Sequence, residues 1–223
     1  MARQGFQDQL GSLEGDVLYM SELVSDRLRM GLSALEQKDH ELAMEVIEGD
    51  DEINQVYLSL ESDCIDLLAL QQPVAGDLRF VASSFKIITD LERVGDLATN
   101  LGTYTLDAER DMFPEVDIQT IGDTTLSMLE AAMEAYDERD TEACFDIAER
   151  DNELDRLCER ASEAVVRDLI ETELEEGEKV EALMADVSRL LLTIRDLERV
   201  GDHAVNIAAR TLYMVENSDE LIY

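Results

Sequence analysis

TDLERVGDLATNLGTYTL, residues 89–106, returns as IRDLERVGDHAVNIAARTL at residues 194–212. With Asp90 set against Asp196 the copies lie 106 residues apart, and Glu92/Glu198, Arg93/Arg199, Asp96/Asp202 and Asn100/Asn206 coincide as well. So many shared charged and polar positions mark an internal duplication. Within each copy a Glu and an Asp stand four residues apart. On a helix that places both carboxylates on one face, one turn after the other, where they can share a cation.

The repeat extends outward from this motif. SALEQKDHELAMEVIEGDDEIN at 33–54 aligns with EAYDERDTEACFDIAERDNELD at 134–155 at an offset of 101. The offset grows by about five residues at one turn, where QQPVAGDLR stands in the first copy and ETELEEGEKV in the second. Apolar residues at Leu10, Leu13, Val17, Met20, Val24, Leu28 and Leu35 step by three and four, which predicts a first helix over about 8–37. Lys38–His40 breaks that stripe. A second helix follows over 41–71, stopped by Pro73, and a third over 78–109 after Ala75–Asp77 as turn and cap. Pro114 marks the hinge, and the second half repeats the plan with helices over 118–138, 141–175 and 178–216. The expected fold is all-α, two up-down-up three-helix bundles made of six long helices, with domains 1–112 and 113–223.

Composition bounds the function. The chain of 223 residues carries 53 acidic and 18 basic side chains, a net charge of −35, and such a surface repels phosphate backbones, so nucleic acid is excluded as a partner. The acidity reads as adaptation to a very salty (halophilic) cytoplasm, where screening relieves self-repulsion. The opening residues lack a charged-then-apolar leader and the apolar runs are too short to span a bilayer, which predicts a soluble, cytoplasmic protein. Cys64, Cys144 and Cys158 are odd in number and form no close pair, as expected of buried free thiols.

The chemistry concentrates in the duplicated motif. Val81, Phe85 and Ile88 run into Glu92 and Asp96, and Val187, Leu191 and Ile194 run into Glu198 and Asp202, so carboxylates continue a line of core residues. The second helix of each copy offers Asp50 and Asn54, or Asp151 and Asp155, in line with Val46 and Ile147. Four oxygen-bearing side chains per bundle favour hard or borderline cations: iron, manganese, magnesium, calcium or zinc. The competing reading pairs Glu92 and Glu198 with nearby arginines and leaves Asp96 and Asp202 at the rim. His203 is either an extra ligand or a polar surface residue. No phosphate-binding Gly-rich loop, His-Glu-x-x-His or nucleophile elbow occurs, so a catalytic role is not indicated. A metal-cluster-dependent hydrolase or oxidase is the alternative.

QQPVAGDLR, the doubled Leu-Glu-Arg-Val-Gly-Asp and the acidic pairs together resemble the PhoU family of phosphate-uptake regulators, over nearly the whole chain. The resemblance implies pseudo-twofold symmetry between the bundles and multinuclear iron or zinc clusters. These would be held by Asp50, Asn54, Glu92 and Asp96 in copy one and by Asp151, Asp155, Glu198 and Asp202 in copy two. Asn54 departs from the acidic pattern and offers only a carbonyl oxygen, which weakens the copy-one cluster. The resemblance further implies a non-enzymatic adaptor, acting as a negative regulator on the ATPase of a Pst-type phosphate ABC transporter at the inner membrane face. A sensor kinase and self-association as a homodimer are further expectations.

Overall fold

A computed structural model of the chain describes residues 2–70, 74–108, 116–171 and 180–222. Among them the secondary structure is helical throughout: α1 (Ala2–Gln37), α2 (His40–Glu48), α3 (Asp50–Leu70), α4 (Ala75–Leu106), α5 (Ile118–Glu138), α6 (Thr141–Glu171) and α7 (Val180–Glu216). α1 to α4 form one bundle, with the α2–α3 pair as its middle member, and α5 to α7 form the other. α4 packs along α7 and α1 along α5, so the apolar side chains of both bundles merge into one core.

The sequence explains the matching ends of the elements. α1 and α5 both stop at a residue in the left-handed region, Lys38 (φ 54°) and Arg139 (φ 58°). An aspartate follows each: Asp39 accepts from the backbone N–H groups of Glu41 and Leu42, and Asp140 from those of Glu142 and Ala143. These are the same N-cap in both repeats, satisfying donors that the first helical turn leaves free.

Three expectations on helix limits need correction. The first helix starts at Ala2 rather than near residue 8, and the third at Ala75, so Ala75–Asp77 form its first turn instead of a cap. The second helix of the first repeat is not continuous. It breaks at Gly49 because the Arg27 guanidinium lies over that residue, donating to the Glu45 carbonyl at 2.9 Å and facing Glu52 at 3.6 Å; a Cβ there would collide with it. In the second repeat Arg150 stands where Gly49 does, Met128 stands where Arg27 does, and α6 runs unbroken. Pro73, Pro114 and the segment 172–179, where a helix end, a hinge and a turn were expected, lie outside the described residues.

Four further contacts tie the halves together. Tyr136, fully buried, shares a 2.8 Å hydrogen bond with Ser84 and stacks on Phe80 with ring centroids 6.3 Å apart. Arg29–Glu130 and Arg139–Glu14 join α1 to α5 at 2.6 Å each. The three cysteines are free and buried, and among the described residues no helix is long and apolar enough to cross a membrane.

The net charge of −35 makes folding dependent on screening. From multimolar salt to ~0.01 M, where the Debye length reaches ~30 Å, the melting temperature followed by circular dichroism is expected to fall by at least several degrees. An unchanged melting temperature would remove salt adaptation as the reason for the acidity.

Candidate functional site

Gly95 and Gly201, the glycines of the repeated motif, let the second helix of each bundle approach closely. Gly95 lies under Ile53, where a Cβ would come within 3.1 Å of that side chain, and Gly201 lies under Leu154. Ile53 and Leu154 are themselves repeat equivalents, one turn from the Asp50/Asn54 and Asp151/Asp155 pairs. This approach brings the acidic pairs of neighbouring helices together.

In copy two, burial pushes the Asp151 carboxyl up to about 6, assisted by the charges of Asp155, Asp202 and Glu198. Burial and neighbouring carboxylates also raise Glu198 and Asp202. In copy one, Glu92 is raised by burial and then by Asp96 and Asp50, and Asp96 by burial and Asp50. All eight expected residues therefore fall in two clusters, one per bundle. The apolar line does not carry them into the core: Glu92 and Glu198 are half-buried, while Asp96, Asp155 and Asp202 are exposed. Arg195 and Arg199 turn to Asp196, at 2.8 and 3.8 Å, and no ion pair joins Glu92 or Glu198 to an arginine among the described residues.

The two clusters differ in how their central aspartate is satisfied. Asp50 accepts from the Asn54 amide at 2.8 Å and shares the Thr99 hydroxyl with the Gly95 carbonyl, each at 3.2 Å from it. The equivalents of those donors in copy two are Asp155 and Val205, neither of which can donate. Asp151 Oδ1 is accordingly buried with no hydrogen-bond partner, 3.3 Å from where a Cβ on Gly201 would sit. An unpaired buried carboxylate oxygen among like charges is unfavourable unless a cation or proton meets it. An all-oxygen donor set with one orphaned atom fits a hard or borderline cation in copy two better than in copy one. Among the described residues no group of three or more His, Cys, Asp or Glu side chains is placed to hold an ion as it stands, so binding requires these side chains to draw together.

A pH dependence follows for the metal-free protein. Folded-state values above the unfolded ones mean that the folded chain takes up protons first as pH falls, so stability rises between about pH 6 and roughly pH 4. Thermal melts in chelator at pH 7 and pH 5 should show the higher melting temperature at pH 5. A lower one would contradict the mutual burial of these carboxylates.

Sequence reasoning missed the role of the first aspartate of each motif. Asp196, fully buried on α7, accepts from Tyr104 Oη at 2.8 Å and Asn100 Nδ2 at 3.1 Å, both on α4. Asp90 on α4 pairs with His203 Nδ1 at 2.8 Å and accepts from Asn206 Nδ2 at 3.4 Å, both on α7. The Asp of each repeat thus meets the Asn of the other across the antiparallel α4–α7 pair. His203, read as a ligand or a surface residue, is neither: it is buried and turned to Asp90.

The structure is thus a duplicated helical scaffold that carries one carboxylate cluster per bundle. Comparison with known proteins gives the family. The PhoU domain matches residues 17–105 and again 118–211, and the chain belongs to the PhoU family, a family of accessory and regulatory proteins and not of enzymes. It is 31% identical over 219 residues to the phosphate-specific transport system accessory protein PhoU homolog of Pseudomonas putida, covering 97% of this chain and 82% of that one. It is 28% identical to the phosphate-specific transport system accessory protein PhoU of Escherichia coli K12, covering 96% and 86%. The crystal structure of PhoU from Pseudomonas aeruginosa superposes with a TM-score of 0.88 at 30% identity, covering 96% of this chain and all of that one. The phosphate transport system regulatory protein PhoU from Streptococcus pneumoniae gives 0.87 at 29% identity, covering 96% and 98%.

Proposed function

We propose that this chain is a non-enzymatic accessory regulator of phosphate transport whose copy-two carboxylates, Asp151, Asp155, Glu198 and Asp202, hold metal. Family membership over nearly the whole chain supports the regulatory role, and the orphaned Asp151 oxygen is the observation that carries the metal. The resemblance to the family points to iron or zinc, as single ions or clusters, while the hard carboxylate oxygens by themselves suit manganese, magnesium or calcium as well. Copy one, internally satisfied through Asn54 and Thr99, holds metal less tightly. The metal neutralises a patch of surface charge and fixes the α6–α7 approach, so the fold presents a defined face to its partner.

That partner is the ATPase of a phosphate-specific ABC transporter at the cytoplasmic membrane face, with a sensor kinase as a second listener, and the chain restrains import when phosphate is plentiful. Deleting the chain is expected to leave phosphate uptake high in phosphate-rich medium, while the purified metal-loaded protein shows no phosphatase, nucleotidase or oxidase turnover. Metal-dependent turnover at roughly 1 per second or faster, lost in Glu198→Ala/Asp202→Ala, would overturn the regulatory reading in favour of an enzyme.

A further inference from the structure

The duplication also governs what the surface leaves uncovered. Twelve large apolar side chains are exposed among the described residues, and the repeat pairs eight of them with one another. At the offset of 106, Val74 matches Val180 and Leu78 matches Met184, the latter pair 46% and 47% exposed. At the offset of 101, Ile65 matches Val166, and Met44 on α2 matches Phe145 on α6. Solvent-facing positions carry no packing requirement, so scattered apolar residues need not recur in register. Here the register is kept at both ends of the molecule.

Val74 and Leu78 lie one turn apart at the start of α4, beside the end of α3 that carries Ile65; Val180 and Met184 repeat this at the start of α7, beside Val166 at the end of α6. α4 and α7 cross antiparallel near Gly95 and Gly201, as the Asp90–Asn206 and Asn100–Asp196 contacts require. At roughly 1.5 Å per residue the two sets therefore sit at opposite poles, on the order of 55 Å apart. Exposed carboxylates border each, Asp63 and Asp66 at one pole and Glu163, Glu171 and Glu181 at the other, with Arg167 as an exposed base beside the second.

We propose that the two poles are docking surfaces for two copies of one protein subunit, each copy offering an apolar cleft bordered by Lys or Arg. A surface repeated by the chain's own pseudo-twofold is matched by a partner present twice, as a homodimer presents itself. At contact distance, where screening weakens charges least, acidic borders on an apolar centre favour a basic-rimmed partner over a second copy of this chain, which would set carboxylates against carboxylates. The inference rests on the regulatory reading above and specifies how the partner is engaged.

A photo-crosslinking phenylalanine analogue placed in cells at position 78, at position 184 and, as control, at exposed position 153 tests it, with adducts identified by mass spectrometry. The same polypeptide is expected at 78 and 184 and absent at 153. With that polypeptide purified, Leu78→Glu and Met184→Glu should each lower the amount bound at saturation about two-fold, and together weaken binding by at least ~10-fold. No adduct at the poles, different polypeptides at the two, or adducts with this chain itself would overturn the proposal. If the shared polypeptide is the transporter ATPase, both readings hold; if it is another protein, the docking surfaces stand and the transporter assignment falls.

Discussion

Glu198→Ala/Asp202→Ala should strip the protein of most of its bound metal, whereas Glu92→Ala/Asp96→Ala should leave most of it in place. The reason lies in the hydrogen bonds around two equivalent aspartates. Asp50 has its donors supplied by Asn54 and Thr99, and copy two replaces both, with Asp155 and Val205. Four carboxylates then surround a site in which Asp151 Oδ1 has no partner and the Asp151 carboxyl is pushed up to about 6. Loss of two direct ligands should lower affinity by more than the ~10–100-fold typical of outer-shell partners, so at least ~100-fold. Metal analysis after extensive dialysis, on protein purified without nickel resin, gives the comparison. Greater loss from the copy-one double substitution would contradict the assignment. A converse holds too: Asp155→Asn together with Val205→Thr rebuilds the copy-one hydrogen bonds around Asp151 and should weaken metal binding while raising the stability of the metal-free protein.

Asp196→Ala should be among the most destabilising single substitutions in the chain. Asp196 is fully buried and accepts from Tyr104 and Asn100 across the inter-bundle contact, with Arg195 at 2.8 Å. Burial and this hydrogen bond push the Tyr104 hydroxyl up to about 12, so it remains a donor at any ordinary pH. Removing the acceptor leaves two part-buried donors without their partner, a loss of roughly 3 kcal/mol. For a chain of this length that lowers the melting temperature by roughly 6–12 °C. Asp196→Asn keeps one acceptor and should fall between. Because the lock joins α4 to α7, the variant should also broaden the unfolding transition as the bundles uncouple. A loss below about 0.5 kcal/mol, the usual surface value, would show that the Asp–Asn crossing does not hold the halves together.

Much of this architecture is legible from residues alone, because the duplication constrains it twice. α5 runs over Ile118–Glu138, the bounds expected from the repeated plan, and the structure adds that Asp117 caps its start and a left-handed Arg139 ends it. The break at Gly49 is not legible: a lone glycine in a helical pattern is compatible with an unbroken helix, and what stops the helix is Arg27, a side chain from another element. The carboxylate pairs of neighbouring helices come near one another but are not placed to hold an ion as they stand, and their depth does not follow the apolar line: Asp96 and Asp202 lie exposed although they continue it. The Asp90/Asp196 crossing was readable in principle. Two antiparallel copies of one helix, each with Asp and Asn ten residues apart, set each Asp opposite the other copy's Asn. His203 was misread because Leu97 at the matching position gives no hint of the polar partner that only the other bundle supplies.

The difference between the two repeats has a functional sense. In copy one the central aspartate, Asp50, is hydrogen-bonded from within the repeat; in copy two one oxygen of its equivalent, Asp151, has no partner. On the proposed function, metal would bear on the second repeat, whose α7 packs against both α6 and α4.

On the proposed function, the copy-two carboxylates serve regulation of phosphate transport rather than catalysis. This is tested most directly by phosphate uptake in phosphate-rich medium, measured in cells carrying the wild-type chain, the deletion, or Glu198→Ala/Asp202→Ala. The double substitution is expected to leave the protein folded and abundant yet to raise uptake to the level of the deletion. Uptake that stays at the wild-type level in the double variant, with the deletion still deregulated, would contradict it.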